Sequence, residues 1–173
     1  MRRISLLFAA IAVALLAPNA ALPSGGFKLL DPGDYQSFVG NWTPDTAPLC
    51  AAIGSADQWE HVLRPAATMG SHKLFAPPAD FWAGHVVLLF ARTVNAGDLS
   101  KVFQVDDVLR RKDTTDVTLR FKPTPPASST AKSYFAVAVD KPISARVRFI
   151  QDGNIVCVLD TAAGTWMASP PQP

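Results

Sequence analysis

Apolar and polar side chains alternate through the second half of the chain, and the alternation predicts strands. "DVTLRFK" (116–122) sets Val117, Leu119 and Phe121 on one face and Thr118, Arg120 and Lys122 on the other, the two-residue period of a half-buried strand. "SYFAVAVD" (133–140) puts Phe135, Val137 and Val139 on one face and small alanines on the other. "ARVRFI" (145–150) points Ala145, Val147 and Phe149 inward, with Arg146 and Arg148 outward. "VFQVDDVL" (102–109) alternates less regularly, and its doubled Asp106-Asp107 suggests a bulge. "HVVLLFART" (85–93) is nearly continuous apolar sequence, as fits a strand buried on both faces.

Asp152-Gly153 separates "ARVRFIQ" from "NIVCVLD". Asp-Gly is a preferred type I′ pair because both central residues of that turn need positive φ. A two-residue loop places Phe149 opposite Val156 and Val147 opposite Val158, all four on the core face. Arg148 then lies opposite Cys157 on the other face, beside Ile150, Ile155 and Leu159. That second face is too apolar to stand bare, so the expectation is that residues 21–52 cross it, stapled there by a Cys50–Cys157 disulfide.

A single short helix is signalled before the strands. In "SADQWEHVL", Ser55 and Gln58 have capping-box spacing. Trp59, Val62 and Leu63 fall on one stripe, and Pro65 ends the segment. The helix is expected over Ala56–Arg64. Together these elements predict a mainly β fold, α+β at the margin. Its architecture is an antiparallel β-sandwich or sheet of about six strands, with the one helix on its N-terminal side.

The first residues set the expected compartment. Arg2 and Arg3 precede a predominantly apolar run from Ile4 to Leu16, followed by "APNAALPS". This is the build of a secretory signal peptide, and the run is shorter than a membrane span. The organisation expected is a signal over 1–20, an extended lead-in over 21–52, one β-rich domain over 53–162 and a disordered tail over 163–173. No membrane span is expected after signal removal, and the localisation expected is periplasmic or extracellular.

Charge follows from that division. The whole chain holds 16 Lys+Arg and 14 Asp+Glu. With Arg2 and Arg3 assigned to the signal, the remainder is balanced, which argues against a dedicated nucleic-acid binder. Cys50 and Cys157 are the two cysteines, and an even pair in an exported chain implies a disulfide. Neither a C-x-x-C site nor a zinc knuckle is present.

The motifs that would carry chemistry are few. Ser129-Thr130-Ala131-Lys132 spells S-x-x-K, in which a serine at a helix N-terminus is served by a lysine one turn later. Here the four residues run into "SYFAVAV", and in a strand residues three apart point to opposite faces. The companion motifs S-x-N and K-T-G are absent. His61, His72 and His85 are scattered, no glycine-rich phosphate loop occurs, and no metal or cofactor is expected. Two candidate binding features remain. One is a loop rim formed by Thr93, Asn95 and Gly97 with Pro125, Pro126, Ser128, Ser129 and Thr130. The other is a basic face of Arg120, Lys122, Arg146 and Arg148.

The order of segments "QWEHVL", "PPADFWAGHVVLLFA", a glycine-containing polar loop, two alternating strands and "KPTPPASSTAKSYFAVAVDKP" resembles the PrcB-like domain across roughly residues 55–150. That family is named for a subunit of a bacterial surface protease complex. Its loop after the buried strand typically carries a Gly-Gly-Tyr-like turn, where this chain has Asn95-Ala96-Gly97-Asp98. The resemblance implies an exported, non-catalytic domain that binds an envelope or secreted protein, with a protease as partner class. The alternatives are a binder of small ligands or anionic envelope polymer using the basic face, and a small hydrolase using Ser129 or a histidine.

Overall fold

The computed structural model describes residues 26–30, 37–39, 48–65, 77–96 and 101–168. In chain order the strands are β1 (Lys28–Leu30), β2 (Ser37–Val39), β3 (Leu49–Ile53), β4 (Leu63–Pro65), β5 (His85–Asn95), β6 (Phe103–Arg110), β7 (Thr114–Phe121), β8 (Thr130–Asp140), β9 (Arg146–Gln151), β10 (Asn154–Asp160) and β11 (Met167–Ala168). Helix α1 (Ala56–Val62) lies between β3 and β4, and α2 (Phe81–Gly84) directly precedes β5. A first sheet has the order β1-β8-β5-β3-β11 and a second the order β10-β9-β7-β6, while β2 and β4 form a small ribbon.

The mainly β, sandwich-like class expected from the alternation is what the chain adopts. β5 is its central strand. Val86, Leu88 and Phe90 face the second sheet, where they pack with Val117, Leu119, Val147, Phe149 and Leu159. Val87, Leu89 and Ala91 face the opposite way and pack with Trp59, Val62, Leu63 and Trp82 of the helical layer. Burial on both faces accounts for the continuous apolar run of this strand. The alternation in β8 has the same cause. Phe135, Val137 and Val139 enter the intersheet core. Ala136 and Ala138 join the core under the helices, where small side chains let that layer sit close.

Several expectations are corrected. The strands are not all antiparallel, since β7 and β9 pair in parallel. The chain leaves the second sheet after β7, traverses the first sheet as β8 and returns as β9 beside β7, and that crossover makes the two parallel. The lead-in is not peripheral: β3 pairs with β5 along its length and β1 pairs with β8. The segment expected to be a disordered tail supplies β11, paired with β3. The helix ends at Val62 rather than Arg64, because Leu63 turns extended while its N–H still closes on the Trp59 carbonyl. Ala145 is exposed and lies just before β9.

The hairpin turn forms as expected, with Asp152 at φ 50° and Gly153 at φ 84°. Its register then shifts. Ile155 lies opposite Ile150, but Cys157 lies opposite Phe149 and Leu159 opposite Val147. One extra residue, Val156, is accommodated between these pairs, and a slip of one exchanges the faces of all that follow. Cys157 and Leu159 are therefore in the core, and Val158 is outside at 48% exposure. The described strands β1 and β3 of the lead-in belong to the first sheet and do not cross the outer face of the hairpin. Cys50 lies in β3 of the facing sheet, and its disulfide with Cys157 joins the two sheets through the core, with Cα atoms 6.5 Å apart.

Candidate functional site

Two loops expected to form a rim are brought together by the pairing of β5 with β8. Asn95, the last residue of β5, lies opposite Thr130, the first of β8. Beyond that pair the connections are tied to each other. The Ala96 N–H donates to the Ser129 carbonyl at 2.9 Å. The Thr124 hydroxyl donates to the Asn95 carbonyl at 2.7 Å, and Asn95 Nδ2 donates to the Thr124 carbonyl at 3.4 Å. Pro125, Pro126, Ser128, Ser129 and Thr130 are exposed along this end. Thr93 and Asn95 are half-buried strand residues rather than loop residues. Gly97 lies outside the described residues.

Ser129 precedes a strand and not a helix, with Lys132 already inside β8. Among the described residues no helix N-terminus lies at Ser129 to aim backbone N–H groups at an oxyanion. His85 sits at the opposite end of the sheet, across from Asp140. Its Nδ1 is 3.1 Å from the Phe81 carbonyl, Nε2 is 3.4 Å from Asp140 Oδ1, and its ring stacks on Phe81 at 4.6 Å. At about 3.3 Å per strand residue, the length of β8 holds these groups roughly 30 Å from Ser129. His61 is exposed on α1 with its ring edge against Trp166. His72 lies outside the described residues. Among the described residues, no three His, Cys, Asp or Glu side chains are gathered as a metal site would require.

The four cations expected to form a basic face are divided by acids that the alternation did not place. Arg120 Nε donates to both Asp106 oxygens at 3.0 and 2.9 Å, and Nη2 to Oδ1 at 2.6 Å. Arg148 Nε and Nη2 donate to the two oxygens of Asp116, each at 2.6 Å. Arg111 Nη1 donates to Asp116 Oδ2 at 2.9 Å. Asp116 is buried, with its side chain 6% exposed, although it points away from the intersheet core. The guanidiniums of Arg120 and Arg148 are held above the ordinary arginine range, chiefly by the hydrogen bonds they donate to Asp106 and Asp116 respectively. Lys122 and Arg146 are exposed, and Arg146 lies opposite Asp160 in the ladder. The face is thus a lattice of mixed charge. Val158, next to Arg148, and Ile155, next to Ile150, add exposed apolar surface to it.

No family model, no curated protein and no solved structure matches this chain. Its likeness to PrcB-like domains accordingly rests on the order of short segments alone.

One residue at the rim end, Arg92, belongs to no sequence motif. Arg92 sits in β5 in phase with Phe90, so it points between the sheets where the sandwich opens. Its guanidinium lies 4.4 Å from the centre of the Phe121 ring, and Nη1 donates to Gln151 Oε1 at 3.2 Å. The signal was present in "HVVLLFART", since an arginine in phase with the inward side chains of a buried strand must find partners between the sheets.

Proposed function

We propose that this protein is exported and serves, without catalysis, as a β-domain that binds another envelope or secreted protein through the rim around Asn95 and Pro125–Thr130. The observation that supports this reading is the pre-built rim. Two connections are cross-tied by Asn95, Thr124 and Ser129 at the end of the central strand pair. Exposed proline-stiffened loops on a rigid scaffold present a surface that loses little freedom on binding. The Cys50–Cys157 disulfide fits an oxidising compartment, periplasmic or extracellular. Among the described residues no helix is long and apolar enough to cross a membrane. A protease as the partner class comes from the PrcB-like resemblance.

The rival reading, a binder of anionic polymer or small ligands on Arg120, Lys122, Arg146 and Arg148, has less support. Arg120 and Arg148 are already committed to Asp106 and Asp116. Site-specific photo-crosslinking separates the two. A benzoylphenylalanine at Ser128 is expected to give a discrete protein adduct in the envelope fraction, and one at Arg146 is not. Adducts at Arg146 alone, or none at Ser128 in properly folded protein, would overturn the rim.

A further inference from the structure

We propose that Arg92 is the anchor of this rim and that the group it receives is a carboxylate of the bound partner. The inference rests on the rim being the binding surface and specifies the chemistry recognised there. Among the described residues, the arginines that form ion pairs are Arg111 and Arg148 with Asp116 and Arg120 with Asp106. Arg92 is not among them, although it is half-buried between the two sheets, as buried in class as Arg148 and more so than Arg111 and Arg120. A guanidinium has five N–H donors, and Gln151 takes one of them. A partly desolvated cation with no counter-ion among the described residues is a costly arrangement for stability alone.

The surroundings are built to aim this cation. The Phe121 ring seats the Arg92 guanidinium carbon 4.4 Å from the ring centre, a cation–π contact. Gln151 is itself oriented, because its Nε2 donates to Asp152 Oδ2 at 3.3 Å while Oε1 faces Arg92. The acid of the hairpin turn therefore reaches Arg92 only through an amide. Lys101 and Lys122 are exposed at the same end, where the Lys122 N–H donates to the Val102 carbonyl at 2.9 Å. Arg92, Lys101 and Lys122 bring three cations to this end beside the carboxylate of Asp152, and a planar fork is matched by a two-oxygen acceptor. The ligand class is an acidic side chain in an extended segment of the partner, or the partner's C-terminal carboxylate.

Titration of the oxidised full-length protein with synthetic octapeptides tests this by NMR. An octaglutamate capped at both ends is expected to shift the Gln151 side-chain amide and the Phe121 ring, and the capped octaglutamine is not. A Gly-Ser octamer with a free rather than amidated C-terminus tells whether a terminal carboxylate suffices. Arg92→Gln should weaken octaglutamate binding about tenfold, the size of one lost charge-assisted pair. Arg92→Lys should fall between, and Arg146→Gln should leave binding within about twofold, since its charge is remote and screened. Equal shifts from both capped octamers, or full affinity in Arg92→Gln, would overturn the assignment. Should Arg92→Gln fold poorly, Gln151→Ala carries the test, with loss of affinity expected and unchanged affinity counting against. Partner capture at Ser128 is scored separately. Capture at full strength by Arg92→Gln rejects the anchor and leaves the rim, whereas no capture by the protein with Arg92 intact rejects the rim while the peptides still decide what Arg92 binds.

Discussion

At the scale of single residues, the second sheet turns on Asp116. Its carboxylate takes three hydrogen bonds from two arginines, and those guanidiniums cover it from solvent. Asp116→Asn removes the charge but not the volume, leaving Arg148 and Arg111 without their counter-ion. A loss of roughly 2–3 kcal/mol is expected in urea unfolding, below the 3–5 kcal/mol of a fully buried pair because both arginines are partly wet. Asp106→Asn should cost less, since Arg120 is mostly exposed. The pH dependence has a definite sign. Arg148 is raised by Asp116, so its contribution is complete below the ordinary arginine range and is lost only as pH rises beyond it. The Asp116→Asn penalty should therefore be unchanged between neutral and mildly alkaline pH. Nothing local marks this cluster in the sequence: Arg111 is five residues from Asp116 across the β6–β7 hairpin, but Arg148 meets Asp116 only through the parallel β7–β9 pairing.

At the scale of elements, local signals were sufficient wherever the structure they specify is local. Ser55 caps α1 by accepting from the Gln58 N–H at 3.2 Å, and Gln58 Oε1 reaches back to the Gly54 N–H at 2.7 Å. Ser55→Ala should cost about 1 kcal/mol, readable in the same unfolding experiment. Gly153 is free of neighbours within 4 Å of where a Cβ would stand, so Gly153→Ala meets only the backbone cost of positive φ. That cost is about 1 kcal/mol. The doubled aspartate in β6 marked its bulge correctly, since the β6–β7 register shifts between Val105 and Asp107. The bulge in β10 carried no comparable mark. Both registers of "NIVCVLD" bury apolar side chains, and the one adopted brings Cys157 to Cys50 and Leu159 into the core.

At the scale of the molecule, three layers are held by two cores, and the disulfide spans the intersheet one. Cys50 and Cys157 are separated by 107 residues. Closing a loop of that size restricts the unfolded chain by an amount worth about 4–5 kcal/mol on chain-entropy grounds. Reduction, or the double change Cys50→Ala and Cys157→Ala, is expected to lower the unfolding midpoint sharply while leaving the far-ultraviolet dichroism of the folded state β-like. A midpoint unchanged by reductant would show that the sheets are held by packing alone. The double variant also reports on the rim, which lies at the end of the β5–β8 pair and should keep its crosslinks as long as the fold survives.

What the chain determines by itself is set by periods of two and by short-range chemistry. Those are the strand identities from His85 to Asp160, the I′ turn, the helix cap and the pairing of two cysteines. What the tertiary structure alone decides is which strands become neighbours. Parallel adjacency of β7 and β9 brings Asp116 to Arg148, and antiparallel pairing of β5 with β8 ties Asn95 to Thr124. It also decides which surfaces are covered, so that β3, β1 and β11 complete a sheet instead of cloaking the hairpin. The physical reason is that alternation states that a face is buried but not against what. The partner is chosen by the combined packing of all layers, and no window of neighbouring residues contains that information.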